Sequence, residues 1–346
     1  MIAELVGPDD PRWRGLLETA AHDVYHLPGY GPLYERAPEV REMALHVRGE
    51  AAELLLPLMI RPLPDLGVPS LSGWRDATSP YGYPGPVVQG AFRPDELERL
   101  QGCVRDLLRE HRILTCFVRG NPLLAGGDAL LEQLGAVVQH GENAVVDLDR
   151  SDDEIWNGFS GLNHRQIRRA ERRGYTVQID DWSHLPIFCQ LYEETMRRVG
   201  ATQFYFFDTD YFTRLKDLLN GRLHLVSAVS SGGELAGADL VTLCGGVVNG
   251  HLNATSSAHL RESPCRLTHD ATWRWAKKNG ARIVNWGGGY GGKDDSLFAF
   301  KKSFATSTRR FRTARVVGDP RLYEEACASA GANGGDLAGY FPAYRH

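Results

Sequence analysis

Residues 286–304 of the chain read WGGGYGGKDDSLFAFKKSF. A glycine-rich run thus leads directly into three phenylalanines and a Lys-Lys pair, in a chain where only six of the 39 Lys and Arg residues are lysines. The alternation in SLFAFKK predicts a strand, in which Phe298, Phe300 and Lys302 share one face and Lys301 lies on the other. We therefore expect one of the two lysines to be partly desolvated. The glycines are expected to form either a turn or a close backbone approach to a substrate.

The segments before this stretch predict a sheet covered by helices. We predict five strands, in YTVQI, LHLVSAVS, LAGADLVTLCGG, VVNGHLNATS and ARIVNWGGG. We predict helices in DEIWNGFS, LNHRQIRRAERRG, LPIFCQLYEETMRRVG, TDYFTRLKDLLNG and LTHDATWRWAKKNG, because their apolar residues recur with helical spacing. This order of helices, a strand meander, a helix and a further strand resembles the GNAT acyltransferase fold.

The first half repeats the pattern. Its predicted strands are MALHVRG, AAELLLPLMIRP, ILTCFVRG and NAVVDLD, its helices are RPDELERLQGCVRDLLREH and DALLEQLGA, and SGWRDATSPYGYPGPVV is a turn-rich aromatic loop. We therefore predict an α/β (α+β) chain of two tandem GNAT-like domains, each a mostly antiparallel mixed sheet flanked by helices. The polar segment at 147–153 places the predicted boundary, with residues 1–150 in the first domain and 151–346 in the second.

Length, charge and cysteine content narrow the class of protein. A chain of 346 residues is longer than one average domain, and a net charge of −4 excludes a protein that coats nucleic acid with its whole surface. Six cysteines without a CxxC pair predict free thiols in a reducing compartment and no metal site. The first residues lack a signal-peptide pattern, and no apolar run reaches the length of a membrane span. We therefore expect a cytoplasmic protein with no membrane partner.

One segment of the second half argues against coenzyme A as the donor. An acetyl-CoA enzyme of the GNAT fold carries glycines in the loop after its fourth strand, where backbone N–H groups bind the pyrophosphate. The corresponding segment here, SSAHLRESPCRLTHDA, contains no glycine. The sequence therefore favours a different donor, and coenzyme A held in another manner is the open alternative.

An arginine-rich helix supplies another candidate site. Five arginines of NHRQIRRAERRG recur at i, i+3, i+4, i+7 and i+8, which places them along one stripe of the helix: Arg165, Arg168, Arg169, Arg172 and Arg173. In an acidic chain such a stripe favours phosphate binding. A solvated face, or pairing with the acidic run SDDE just upstream, is the alternative.

Three motifs together resemble the FemABX family of peptidyltransferases: NHRQIRRAERRGYTV, YEETMRR followed by FYFFDTDYF, and LFAFKKSFA. The most specific element is the L-x-x-F-K-x-x-F pattern at Leu297, Phe300, Lys301 and Phe304. Members of this family are cytoplasmic double-GNAT proteins that transfer an amino acid from aminoacyl-tRNA to an amine. The resemblance covers most of residues 150–315 and, more loosely, the first half.

The resemblance implies roles for individual residues. Lys301 would stabilise the oxyanion that forms when the acceptor amine attacks the aminoacyl ester, and Arg198 would lie at the acceptor site. The charged tRNA would bind the arginine stripe and Lys302. The remaining predicted substrate-binding residues are Tyr81, Tyr83, Tyr205, Asn253, Trp286, Tyr290 and Phe300.

We therefore predict an aminoacyl-tRNA-dependent transferase that forms an amide (peptide) bond to the amine of a small molecule or peptide, with no cofactor besides the charged tRNA. The chain lacks the long coiled-coil insertion of the peptidoglycan branch, which directs the prediction towards natural-product or antibiotic biosynthesis. The alternatives are an acyl-CoA-dependent N-acyltransferase and a non-catalytic double-GNAT binding protein. Sensitivity of the activity to RNase, or its dependence on acetyl-CoA, separates the first two.

Overall fold

The computed structural model describes residues 1–35 and 37–346, and these divide into two compact units. The first unit comprises Met1–His140 and Arg310–His346, and the second comprises Gly141–Arg309. Within the described residues, no helix combines the length and the apolar character that crossing a bilayer requires.

The carboxyl-terminal segment corrects the predicted division into 1–150 and 151–346. Residues 310–346 belong to the first unit, because their strand pairs antiparallel with a strand of that unit, with Thr313 opposite Arg119. Their helix and tail pack around Leu114 in an apolar cluster of the same unit. The hydrophobic pattern of a segment predicts its secondary structure but not its partner strand, so the sequence order alone placed this segment in the wrong unit.

Both units contain strands and helices. The strands are β1 (Ile2–Val6), β2 (Arg41–Arg48), β3 (Ala52–Pro62), β4 (Arg75–Thr78), β5 (Val87–Gly90), β6 (Ile113–Arg119), β7 (Ala136–Asp147), β8 (Thr176–Ile179), β9 (Leu223–Val229), β10 (Leu235–Cys244), β11 (Val247–Thr255), β12 (Ile283–Gly287) and β13 (Ser307–Val317). The α-helices are α1 (Pro11–Thr19), α2 (Pro94–Glu110), α3 (Gly127–Leu134), α4 (Asp152–Gly158), α5 (Gly161–Arg172), α6 (Leu185–Arg198), α7 (Thr209–Leu219), α8 (Pro264–Lys278), α9 (Ser296–Lys302) and α10 (Pro320–Ser329). The predicted helices and strands recur in this order, apart from SLFAFKK, and β4 lies inside the predicted aromatic loop.

The first unit is built on a mixed sheet in the order β1-β2-β3-β4-β6-β13, with β5 paired to β3. Its pairs are antiparallel except β4 with β6. Helix α2 covers this sheet through Leu100, Val104, Leu107 and Leu108, which are all buried. Their spacing of four, three and one places them on one face of the helix, which explains why this segment folds as an amphipathic helix.

The second unit has the sheet order β7-β12-β11-β10-β9-β8, in which only β11 and β12 run parallel. That parallel pairing covers Val247–Asn249 against Ile283–Asn285 and then stops, although β11 continues to Thr255. Helix α8 packs on one face of the sheet, with Trp273 in the apolar core. The predicted double GNAT fold, with two mostly antiparallel mixed sheets, is confirmed, and the gap after the parallel pair is where the candidate site lies.

Candidate active site

The Lys-Lys pair lies on a helix and not on the predicted strand. Helix α9 begins after Asp295, whose side-chain Oδ1 accepts a hydrogen bond of 2.8 Å from the backbone N–H of Phe298, as an N-cap residue does. In the L-x-x-F-K-x-x-F pattern the named residues stand at i, i+3, i+4 and i+7, which is one face of a helix. The strand prediction was wrong because a seven-residue apolar segment fits both periods. The helical cap and this longer spacing decide between them.

Lys301 is the partly desolvated lysine of the pair. Its Nζ donates a hydrogen bond of 2.7 Å to the carbonyl oxygen of Gly288, and burial lowers the pKa of Lys301 from 10.5 to about 8. The carboxylate of Asp295 acts in the opposite direction. Lys302 is exposed, with its ammonium 5.7 Å from the centre of the Phe298 ring. The prediction that one lysine would be desolvated is confirmed, and the structure identifies it.

The glycine-rich run brings a carbonyl oxygen to Lys301 through close backbone packing. A Cβ atom at Gly288 would stand 3.0 Å from the carbonyl oxygen of Glu142, and one at Gly289 would collide with the carbonyl oxygen of Lys293. Contacts of this kind are tighter than ordinary van der Waals packing allows, so only glycine fits without a shift. The expected close approach therefore exists, and it is to the protein's own backbone.

An aromatic cluster joins α8, α9 and the strand before the glycine-rich run. Trp286 is buried, its Nε1 donates to the carbonyl oxygen of Phe304 at 3.3 Å, and its ring stacks on His269 with centroids 4.1 Å apart. The ring of Phe300 lies 5.5 Å from that of His269 and 5.1 Å from the guanidinium of Arg266. Two of the predicted substrate-binding residues, Trp286 and Phe300, thus belong to one aromatic cluster with His269, and Phe300 precedes Lys301 in α9.

Asn253 joins the same site through a buried carboxylate. Asp239 on β10 stands directly opposite Asn253 on β11, and the amide of Asn253 donates to its Oδ1. The hydroxyl of Thr268 donates to Oδ2 at 2.7 Å, and Nδ1 of His269 lies 3.0 Å from the same oxygen. Asn253 therefore acts on Asp239, and its amide is engaged within the protein.

Two other predicted substrate-binding residues, Arg198 and Tyr205, make contacts in the α6–α7 region. Arg198 donates to the hydroxyls of Ser257 at 3.0 Å and Thr195 at 3.2 Å, which ties the end of α6 to the short 3-10 helix Ser257–Glu262. Tyr205 has its ring 5.1 Å from that of Phe204. These contacts hold the α6–α7 region together, and the acceptor role of Arg198 and Tyr205 stays a prediction.

The three remaining tyrosines have separate surroundings. Tyr290 has an exposed side chain, and its backbone N–H donates 2.9 Å to Asp295. Tyr81 and Tyr83 belong to the first unit. There the ring of Tyr81 lies 5.0 Å from Tyr34, and Tyr83 lies 5.5 Å from Phe311. These tyrosines form part of an aromatic cluster of that unit, and their role in binding stays a prediction.

The arginine stripe is helical as predicted, and part of it is neutralised. Glu262 forms ion pairs with Arg169, at 3.4 Å, and with Arg173. Arg165, Arg168 and Arg172 are exposed. For these three arginines, no ion pair occurs among residues 1–35 and 37–346.

The acidic run before the stripe has a different partner. Asp152 of that run accepts a hydrogen bond of 2.7 Å from Nζ of Lys277. The alternative that SDDE neutralises the stripe is therefore not what the structure shows. A stripe of three unpaired guanidiniums remains on the surface of α5.

The glycine-free segment does follow β11 and precede α8. It folds as the 3-10 helix Ser257–Glu262, then Ser263 with a φ of 50°, then Pro264 at the first position of α8. Proline has no backbone N–H, so this helix start offers one donor fewer to a pyrophosphate than other residues would. The carboxylate of Glu262 at the same turn is engaged by the guanidiniums of Arg169 and Arg173.

Comparisons with known sequences place the second unit among acetyltransferase-like domains. Residues 163–302 match a family model described as an acetyltransferase (GNAT) domain. A segment of 76 residues is 34% identical to lipid II:glycine glycyltransferase of Staphylococcus aureus, and it covers 22% of this chain and 17% of that protein. The chain therefore matches less than a fifth of the length of that relative.

Solved structures extend the likeness to nearly the whole chain. The structure of FemX superposes with a TM-score of 0.70 at 16% identity, covering 93% of this chain and 99% of the FemX chain. The chain has a FemX-like fold. The C-terminal domain of a putative lysylphosphatidylglycerol synthetase from Agrobacterium fabrum follows with a TM-score of 0.54 at 13% identity, covering 93% and 94%. At these identities the likeness shows the fold of the FemABX-like chain, and its two GNAT-like units agree with it.

Sequence reasoning missed the polar side of the site in this FemABX-like chain. His269, Asp239 and Arg266 lie next to the predicted residues Trp286 and Phe300. None of the three stands in a motif with Lys301, because they come from α8 and β10 and meet α9 only in the folded unit. The pairing of Asp239 with Asn253 could have indicated this side of the site, but it is known only when the register between β10 and β11 is known.

Proposed function

We propose that this FemABX-like chain is an aminoacyltransferase that takes an amino acid from aminoacyl-tRNA and forms an amide bond to an acceptor amine. The observation that supports the proposal most is Lys301, a desolvated lysine whose ammonium group donates a hydrogen bond to the glycine-rich loop. A cation in a dry site stabilises developing negative charge more strongly than one in water. The reaction proposed for the family develops such a charge on one oxygen atom.

The chemistry uses Lys301 as an electrostatic stabiliser. The acceptor nitrogen attacks the ester carbonyl carbon, the new C–N bond forms, and the carbonyl oxygen becomes an oxyanion. Collapse breaks the C–O bond to the tRNA ribose, whose oxygen leaves with a proton. A donor aimed at such an oxyanion contributes about 3–4 kcal/mol to the transition state.

The stripe on α5 supports tRNA as the carrier of the amino acid. Arg165, Arg168 and Arg172 present three exposed guanidiniums on one helix face, a spacing suited to successive phosphates. Lys302, exposed one residue after Lys301, adds a cation close to the site. No cofactor besides the charged tRNA is proposed.

A peptide or small-molecule amine is the proposed acceptor. The relative named lipid II:glycine glycyltransferase points to the peptide of a peptidoglycan precursor as the first acceptor to try. The absence of a coiled-coil insertion keeps a natural-product acceptor in the proposal, in which the protein would work in antibiotic biosynthesis in the cytoplasm.

An N-acyltransferase that uses acyl-CoA is the second candidate. The match of residues 163–302 to an acetyltransferase domain favours it. The glycine-free turn before α8, with Pro264 at the first position of the helix, argues against a pyrophosphate held there.

A donor assay separates these candidates. The protein is incubated with total tRNA charged with a radiolabelled amino-acid mixture and with a lysine-containing peptide, and the label in the peptide is counted. We expect transfer that disappears when RNase is added first. Transfer that survives RNase and requires acetyl-CoA would overturn the proposal, and no transfer from either donor would favour a non-catalytic binding protein.

A further inference from the structure

The site contains an aspartate–histidine pair that the oxyanion role of Lys301 does not use. His269 on α8 and Asp239 on β10 are both buried, and Nδ1 of His269 lies 3.0 Å from Oδ2 of Asp239. The contact is electrostatic, since Nδ1 makes no linear hydrogen bond.

The position of Asp239 is fixed on its other sides. Asn253 donates to Oδ1 and Thr268 donates to Oδ2, so that neither oxygen can rotate away without losing a hydrogen bond. Cys265 is also close enough for its thiol to sense the carboxylate, and burial with that charge raises the pKa of Cys265 to about 12. A thiol in that condition stays protonated, so Cys265 is not a candidate base.

The histidine packs against the two segments that carry Lys301 and its hydrogen-bond acceptor. Its ring contacts Phe300, the residue before Lys301, at 5.5 Å. It also stacks on Trp286, two residues before the carbonyl group that Lys301 binds. Its second nitrogen, Nε2, is bonded to no residue of the described chain, and it is not among the sealed polar atoms. One nitrogen is therefore held by the protein and the other is open to a ligand.

We propose that His269, oriented by Asp239, is the base that takes the proton from the acceptor amine. The inference rests on the proposed function and names the group that the oxyanion mechanism leaves unassigned. Nε2 takes one proton from the acceptor ammonium ion, which frees the lone pair that attacks the ester, and Asp239 stabilises the resulting imidazolium. As the C–O bond breaks, a second proton of the attacking nitrogen passes to the ribose oxygen of the tRNA, and the imidazolium releases its proton to solvent. No oxidant or further reactant is needed.

The test compares two acceptors in single-turnover assays with labelled aminoacyl-tRNA. The first acceptor is the lysine-containing peptide, whose side-chain amine is an ammonium ion at neutral pH. The second is methoxyamine, which is unprotonated at neutral pH, with the enzyme-free rate subtracted. For His269→Gln we expect the rate with the peptide to fall about 10²- to 10⁴-fold, the usual contribution of a general base. The rate with methoxyamine should fall less than tenfold.

A second Asp–His pair of the same unit is the matched control. Nδ1 of His224 lies 2.9 Å from Oδ2 of Asp180, and its ring lies 4.4 Å from Trp275. His224→Gln therefore removes a histidine in a similar environment, and both rates should equal those of the wild type. Asp239→Asn, which removes the charge behind the base, should repeat the selective loss with the peptide acceptor.

Each outcome separates the inference from the proposed function. If the wild type transfers label to neither acceptor, the proposed function fails and the role of His269 falls with it. If the wild type is active and His269→Gln loses both rates equally, or loses neither, the base assignment alone is wrong. Thermal unfolding of each variant accompanies the rates, and an unfolded His269→Gln variant is replaced by His269→Asn in the same comparison.

Discussion

At the scale of single residues, the proposed chemistry depends on where one ammonium group lies. Lys301 and Lys302 are neighbours in sequence, yet only Lys301 reaches the carbonyl oxygen of Gly288, while Lys302 is exposed. A helix turns about 100° per residue, so adjacent side chains face different surroundings. This difference allows a direct comparison between the proposed catalytic lysine and a surface lysine.

Replacing Lys301 with methionine should remove the charge and keep the length of the side chain. We expect kcat to fall about 10²- to 10³-fold, the usual effect of losing one oxyanion donor. The free energy of unfolding should not fall, because a buried ammonium is costly and a thioether is not. Steady-state kinetics and urea unfolding measure the two quantities.

Lys302→Met is the control for this substitution. It removes the same charge from an exposed position, so kcat should stay within a few-fold of the wild type. A normal kcat for Lys301→Met, with a large loss for Lys302→Met, would transfer the role to Lys302.

The pKa of Lys301 also predicts the alkaline limb of the pH profile. The oxyanion is stabilised by the charged form, and burial lowers the pKa of Lys301 to about 8. The charged fraction is therefore nearly complete below pH 7 and falls tenfold per pH unit well above pH 8. We expect kcat for the peptide acceptor to decline above about pH 8. Lys301→Arg keeps its charge at all these pH values, so its lower activity should not decline there. An unchanged alkaline limb in Lys301→Arg would assign the limb to another group.

At the scale of elements, the sequence predicted the order of most strands and helices along the chain, because most segments show one clear hydrophobic period. SLFAFKK was the exception, since seven residues fit both a strand and a helix and the cap at Asp295 decided the outcome. Lys301, Phe300 and Trp286 could be assigned from a linear motif and its neighbourhood. His269 and Asp239 could not, because a site assembled from α8, α9 and β10 depends on packing that no single segment encodes.

The helix α5 offers a prediction about tRNA binding at this scale. Arg168 and Arg172 are exposed without an ion pair to the described chain, so replacing both with Gln should remove up to two phosphate contacts. We expect weaker binding and a plot of log affinity against log salt that is flatter by about one to two units. Glutamine favours helix about as well as arginine does, so α5 should persist. Affinity for charged tRNA at several salt concentrations is the measurement.

Arg169 and Arg173 provide the matched control. Both pair with Glu262, so the double change to Gln removes the same charge from arginines already neutralised. The salt slope should change less than for Arg168 and Arg172. Parallel lines of equal affinity for both double variants would place the tRNA elsewhere on the molecule.

At the scale of the whole molecule, each unit holds a histidine in a desolvated position, buried for His26 and half-buried for His251. His26 in the first unit bonds the carbonyl oxygen of Gly85 at 2.8 Å, and His251 in the second bonds the hydroxyl of Tyr211 at 3.1 Å. Burial lowers the pKa of each to about 4. The folded chain then binds fewer protons than the unfolded chain between the folded pKa and the unfolded value of about 6.5.

Acid should therefore destabilise the fold in that window. The stability that each neutral histidine contributes is complete above about pH 6.5, and on the order of 3 kcal/mol of it is lost as pH falls towards 4. His26→Gln keeps a donor near Gly85 and cannot titrate, so its unfolding free energy should fall less steeply with pH. Urea unfolding at pH 7, 6 and 5 gives the dependence of the unfolding free energy on pH. An identical dependence for the wild type and His26→Gln would show that folding does not lower the pKa of this histidine.

The proposed function requires that the chain transfers an amino acid from tRNA and not an acyl group from coenzyme A. The most direct test is one reaction that contains charged tRNA and acetyl-CoA together with the lysine-containing peptide, followed by mass spectrometry of the peptide. We expect the mass of the peptide to increase by one amino-acid residue, and we expect this increase to be lost with Lys301→Met and with RNase. A peptide that gains only an acetyl group, from wild-type protein and in the presence of RNase, would contradict it.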